Sequence, residues 1–92
     1  MIKIGIPYTG CPHDSEIPVT SEAESVAIAC GLQLGGWTPF VFMQDSGYLN
    51  CLNNITSLMR PYGFDFQIVV KEVKEPEHHK QSNELYDKIR SY

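Results

Sequence analysis

Hydrophobic and polar positions alternate at the start of the chain, where Ile2, Ile4 and Ile6 are separated by Lys3 and Gly5. A period of two predicts a half-buried strand, and Pro7, which has no backbone donor, ends it. Residues 9–15 (TGCPHDS) are turn formers and read as a loop. Residues 17–20 read as a short extended segment with Pro18 near its start. The pattern then changes. Val26, Ala27, Ile28, Ala29, Cys30, Leu32 and Leu34 predict a helix that is apolar almost all round, as buried helices are. Ser21 as N-cap and Glu24 at the third helical position fit a capping box, and Gly35-Gly36 stops the helix.

Residues 40–43 are continuously apolar, which predicts a strand buried on both faces of a parallel sheet. Residues 44–47 form the turn after it. Residues 49–59 predict a second helix with Leu52, Ile55, Leu58 and Met59 at helical spacing and Pro61 and Gly63 beyond its end. Residues 64–70 read as a further strand and residues 71–80 as a charged, solvated loop. Residues 81–92 can form a last helix, with Leu85 and Ile89 inward and a Glu84/Lys88 pair outside. Strands alternating with helices imply βαβ units. The expected architecture is one α/β domain over residues 1–92, a three-layer, mostly parallel sheet flanked by helices. Ligands in such sheets sit beyond the carboxyl ends of the strands. The loops after Thr20 and Met43 lie at that edge.

Size and composition narrow this picture. A chain of 92 residues makes a small core, and small domains bury a smaller fraction of their surface. Cys11, Cys30 and Cys51 are odd in number and lack a C-x-x-C pair, so a disulfide framework is not expected. They read as reduced thiols in a cytoplasmic protein. No apolar run is long enough for a membrane span. The net charge of −4 offers no basic face for a nucleic-acid backbone. Stability is therefore expected to come from association, as a hetero- or homo-oligomer.

Glu22 is the main candidate for chemistry. It stands in the first turn of an otherwise apolar helix, where a buried carboxylate is costly without a partner. The bland reading is a solvated acid that favours the helix dipole. Glu24 needs no role beyond the cap. Gln44, Asp45, Ser46 and Gly47 could line a pocket wall or form an ordinary polar turn. Asn50, Asn53 and Asn54 read as capping or loop-bonding residues. His13, beside Asp14, and the pair His78-His79 are the only imidazoles. Folding could bring His13 and His78 together as contacts to an anionic substrate, whereas His79 reads as solvent-exposed. Cys11, His13 and His78 lack the paired spacing of a zinc site, so no metal is expected on this chain.

Together these residues resemble a family. IPVTSEAE before an Ala/Gly-rich helix, then P-x-V-x-M-Q-x-S-G, then N-x-x-x-S-L, is similar to the pyrimidine-binding domain of thiamine-diphosphate decarboxylases. Within them the likeness is to the sulfopyruvate decarboxylase alpha subunit and phosphonopyruvate decarboxylase group. Thr20, Glu22, Glu24, Gly31, Pro39, Met43, Gln44, Ser46, Gly47, Asn50, Asn53, Ser57 and Leu58 are in register with its pattern. The turn Thr9-Gly10-Cys11-Pro12 and the run Glu75-Pro76-Glu77-His78 resemble flanking elements. The resemblance implies thiamine diphosphate as cofactor, with Glu22 hydrogen-bonding N1′ of its aminopyrimidine. Met43, Gln44, Ser46 and Gly47 would then contact the cofactor. His13, Asp45, Asn50 and His78 would be weaker substrate contacts.

The chain departs from the pattern in three ways. It has no G-D-G element with a following Asn, so Mg2+ and the diphosphate would be held by a partner, a beta-type subunit or domain, and this chain alone should be inactive. The segment between the first turn and IPVT is short, as is the end. Tyr48-Leu49 stands where the pattern has Leu-Gly. The implied substrate is a small anionic 2-oxoacid such as 3-sulfopyruvate. The alternative is a degenerate, non-catalytic binding or regulatory module that keeps the fold and the oligomer surface.

Overall fold

The computed structural model describes residues 1–72 and 80–89. Three strands, β1 (Ile2–Gly5), β2 (Pro39–Gln44) and β3 (Gln67–Lys71), form a parallel sheet in the order β1-β2-β3. Ile4 pairs with Val41, and Val41 with Ile68. The strand read for residues 40–43 lies at the centre of the sheet, and Phe40, Val41, Phe42 and Met43 are all buried. The α/β class and the parallel sheet expected from the sequence are those observed.

Helix α1 (Glu22–Leu34) connects β1 to β2. A second crossover, of α2 (Asp45–Leu49), α3 (Leu52–Asn54) and a π-helical turn (Ile55–Met59), connects β2 to β3. Successive right-handed crossovers that step in one direction along a sheet place their helices on the same face. In agreement, α1 touches both α3 and the π-helical turn. Their shared core contains Ile4, Val26, Ala29, Val41, Met43, Cys51 and Ile55. Side chains alternate along a strand. Phe40 and Phe42 therefore point to the other face of the sheet, where the ring of His13 lies 4.9 and 5.3 Å from theirs. Among the described residues that face is covered by the loop after β1.

The same loop closes the outer edge of β1. Lys3 donates its N–H to Glu16 Oε2 at 2.7 Å and accepts from Glu16 N at 2.8 Å, and Gly5 N–H donates to Ser15 Oγ at 3.1 Å. Edge groups that would template another chain are thereby satisfied. Residues 17–20, read as an extended segment, form no strand. Pro18 lacks a ladder donor, and residues 15–16 already occupy the edge.

Ser21 caps α1 in an extended conformation, and its Oγ accepts from Glu24 N at 3.2 Å. Glu24 reaches back to Thr20 N at 2.6 Å, one residue before the N-cap, so the capping box is present in a slightly extended form. At the other end Trp37 N bonds Leu32 O at 2.9 Å and Gly36 N bonds Gln33 O at 3.0 Å, with Gly36 at φ +92°. This is a Schellman stop that only glycine accommodates without strain. The expectation that α1 is buried all round is corrected. Ser25, Val26, Ala29 and Cys30 are buried, but Ala27, Gly31 and Leu34 are exposed, because among the described residues nothing packs on the side of α1 away from the sheet.

Three further boundaries differ from the sequence reading. Residues 44–47 are not a turn, since α2 begins at Asp45 directly after β2. The acidic side chain suits a helix start, and its Oδ1 accepts from Ser46 N at 2.9 Å. The helix read over residues 49–59 is broken at Asn50 and Cys51 and ends in a π-turn, with Arg60 N bonded to Ile55 O at 3.0 Å. Thr56 Oγ1 donates to Leu52 O at 2.8 Å, competing for a carbonyl the regular ladder would use. β3 starts at Gln67, not at residue 64, because Asp65 is held by both ends of the Gln33 amide.

Lys71 closes β3, so the charged loop begins after it, and residues 73–79 lie outside the described residues. The last helix, α4, spans Lys80–Ile89. Tyr86 and Ile89 face the core, and Leu85 is 48% exposed, correcting the expected inward Leu85. The reason is an aromatic pair: Tyr86 meets Tyr48 edge-on at 5.3 Å. Tyr48 is one of the departures from the family pattern, and here it docks α4.

Candidate functional site

The candidate site forms where the first turn of α1 meets α2, beyond the carboxyl end of β2. Glu22 is the first residue of α1 and is partly buried, with its carboxylate against the backbone of Gly47. A Cβ added to Gly47 would lie 2.5 Å from Glu22 Cγ and 2.6 Å from Oε2. The glycine therefore makes the space that the carboxylate occupies. The other oxygen, Oε1, accepts from Asn50 Nδ2 at 3.2 Å. Asn54, one helical turn further on, donates to Ala23 O at 2.7 Å and ties α3 to the start of α1. Ser25 Oγ donates to Glu22 O at 2.6 Å.

Beneath this pair lies Cys51, fully buried, its Sγ 3.4 Å from Gly47 O and 3.6 Å from Met43 Sδ. Burial first, and the nearby Glu22 carboxylate second, push its thiol up to about 12 from 9.0. An acid held neutral in this way stabilises the fold below pH 9, and the contribution is lost as pH rises toward 12. Thermal melts from about pH 8 to about pH 11 should thus show a loss of Tm that is smaller in Cys51→Ala. An equal loss in both proteins would contradict this placement of the thiol.

The other sequence-predicted residues divide into those near Glu22 and those away from it. Gly47 and Asn50 are brought to the carboxylate directly. Gln44 and Ser46 sit beside it in the chain and bond each other, Nε2 to Oγ at 2.9 Å. Met43, expected to contact the cofactor, and Asp45, expected on a pocket wall, do not reach an open surface. They are 0% and 1% exposed, because β2 is central and α2 folds back over its end. They support the site from below. His13 lies on the opposite face of β2, over Phe40 and Phe42, with its Nδ1 buried and without a hydrogen-bond partner. It is not joined to Glu22. His78 lies outside the described residues. Among the described residues no three His, Cys, Asp or Glu side chains are grouped to hold a metal ion.

Sequence reasoning read Cys51 only as a reduced thiol and took Asn50 and Asn54 for caps or loop contacts, with Asn50 also a weak substrate contact. It did not foresee that both asparagines tie the second crossover to α1. Their spacing of four residues, on one side of a helical segment, was the available signal. An open cavity of about 210 Å³ lies apart from the carboxylate, between the π-turn, β3 and α4, and is lined by Ile55, Met59, Phe66 and Tyr86 among others. No helix among the described residues is long and apolar enough to cross a membrane.

The fold and site thus define a parallel α/β unit carrying a helix-start carboxylate seated on a glycine at the carboxyl edge of its sheet. In sequence the chain is 39% identical over 54 residues to the sulfopyruvate decarboxylase alpha subunit of Methanococcus maripaludis. It is 34% identical over 59 residues to the alpha subunit of Methanothermobacter thermautotrophicus. It is also 34% identical over 74 residues to phosphonopyruvate decarboxylase of Streptomyces viridochromogenes. These matches cover 59%, 64% and 74% of this chain but only 32%, 36% and 19% of the respective relatives. Over these stretches the chain is similar to the sulfopyruvate and phosphonopyruvate decarboxylases, the group its motifs resemble. No protein-family model matches the chain, and no solved structure matches it.

Proposed function

We propose that this chain is the pyrimidine-binding, alpha-type part of a thiamine-diphosphate-dependent decarboxylase of a small anionic 2-oxoacid such as 3-sulfopyruvate. A diphosphate-binding partner subunit or domain completes the site in this reading. The observation that supports it best is the seat of Glu22: a carboxylate at a helix start, packed on a glycine that a side chain would fill.

The residues present fit one half of the cofactor. Glu22 offers a carboxyl oxygen to a ring nitrogen, and the missing side chain at Gly47 leaves the room that its carboxylate fills. In this reading Mg2+ and the diphosphate are held elsewhere than at Glu22. That task falls to the partner. When bound, the cofactor supplies the electron sink for the pair released with CO2. The protein's own part is to hold the pyrimidine nitrogen, to give and take a proton at Glu22, and to keep that carboxyl oriented through Asn50. The apolar floor made by Met43 and Cys51 keeps water from beneath the carboxylate.

Reconstitution tests the reading. Mixed with a diphosphate-binding beta-type subunit, thiamine diphosphate, Mg2+ and 3-sulfopyruvate, the chain should release CO2, and neither protein should do so alone. A complex that assembles yet releases no CO2 from sulfopyruvate or phosphonopyruvate would overturn it in favour of a scaffold role.

A further inference from the structure

The Glu22 carboxylate has two oxygens in different surroundings. Oε1 accepts from Asn50 Nδ2 at 3.2 Å, whereas Oε2 faces the bare Cα of Gly47. Asn50 is itself held at a fixed distance from that glycine, its backbone N–H donating to Gly47 O at 3.0 Å. One turn later Asn54 grips Ala23 O at 2.7 Å, so the segment that carries Asn50 is anchored to the same turn of α1 that carries Glu22. Glu22, Gly47 and Asn50 are therefore one geometric unit built from two crossovers.

We propose that Asn50 is the positioning residue of this site: its amide engages Oε1 and so assigns Oε2 to the bound ligand. An oxygen that already accepts an N–H is the poorer place for a proton. The transferable proton of the carboxyl group is therefore carried on Oε2, the oxygen against the glycine. The carboxyl plane is also fixed, because an amide on one oxygen and a backbone against the other remove its freedom to rotate. The consequence rests on the reading of Glu22 given above, but the contact itself does not. Asn50 is exposed, so its replacement leaves the core intact.

Two measurements test it. In the 15N-labelled full chain without cofactor, Glu22→Gln should move the side-chain amide resonances of Asn50 and leave those of Asn53 in place. An unmoved Asn50 amide would overturn the proposal. In the assembled enzyme, Asn50→Ala should lower kcat about 10- to 100-fold with KM for the 2-oxoacid within about 3-fold, the sign of an interaction lost from the reacting geometry. In the Glu22→Gln background the same change should cost less than about 2-fold more, because residues acting as one unit are not additive. Fully additive losses would overturn the proposal. If Glu22→Gln leaves turnover intact, the functional reading fails, and the amide resonance alone then decides the contact.

Discussion

Glu22→Gln is expected to lower turnover of the assembled decarboxylase about 100- to 10,000-fold, the range of a lost general acid–base group. The substitution is nearly isosteric. Its amide still packs on Gly47, and its Oε1 can still accept from Asn50 Nδ2. What is lost is the ability to carry a proton at that place. The side chain is only partly buried, so the fold should persist. Removing a first-turn acid should cost about 0.3–1 kcal/mol of helix-dipole stabilisation. Turnover, a thermal melt and gel filtration of the complex together separate these effects. An internal check is available at Cys51, whose thiol is pushed up in part by the Glu22 carboxylate. In the variant that part of the shift should disappear, so the thiol should titrate at lower pH. Near-normal turnover in a properly assembled complex would remove Glu22 from the chemistry.

Much of this site was readable from residue order, for reasons that differ along the chain. The central strand was evident because residues buried on both faces cannot alternate, and Phe40–Met43 carry no polar position. The capping role of Glu24 followed from helix-start spacing, whereas a chemical role for Glu22 was implied only by the family resemblance. Glu24 spends its carboxylate on Thr20 N, which leaves Glu22 the acid free to face α2. The burial of α1 was not readable, because a one-dimensional pattern states how apolar a helix is and not how many layers surround it. Here one face meets the sheet and the other, with Leu34 at its end, meets solvent. His13 was read beside His78, which lies outside the described residues, and what the sequence did not indicate is where its ring rests. Its neighbours in sequence are polar, but the loop folds over Phe40 and Phe42. That Cys51 and Asn50 meet Glu22 was not legible, because Glu22 is 28 or more positions away and only the second crossover returns them to α1.

Gly47→Ala should separate activity from stability more sharply than any change at a charged residue. Gly47 lies inside α2, where alanine gains up to about 1 kcal/mol over glycine in helix propensity. Against this, the new methyl would stand 2.5 Å from Glu22 Cγ and 2.7 Å from Cδ. Those atoms belong to a partly exposed side chain that can swing toward solvent, and the backbone need not move. Leaving a preferred rotamer costs about 0.5–1.5 kcal/mol, so the two effects nearly cancel. The melting temperature should therefore change little, while the carboxylate leaves its seat together with its bond to Asn50. A displacement of about 1 Å in a positioning group can cost on the order of 100-fold in rate. The loss should thus approach that of Glu22→Gln, and combining the two substitutions should add little to either. Measured as kcat in the assembled complex beside a circular-dichroism melt, the pair of readouts is decisive. Full activity in Gly47→Ala would show that the carboxylate does not work from the position it holds against α2.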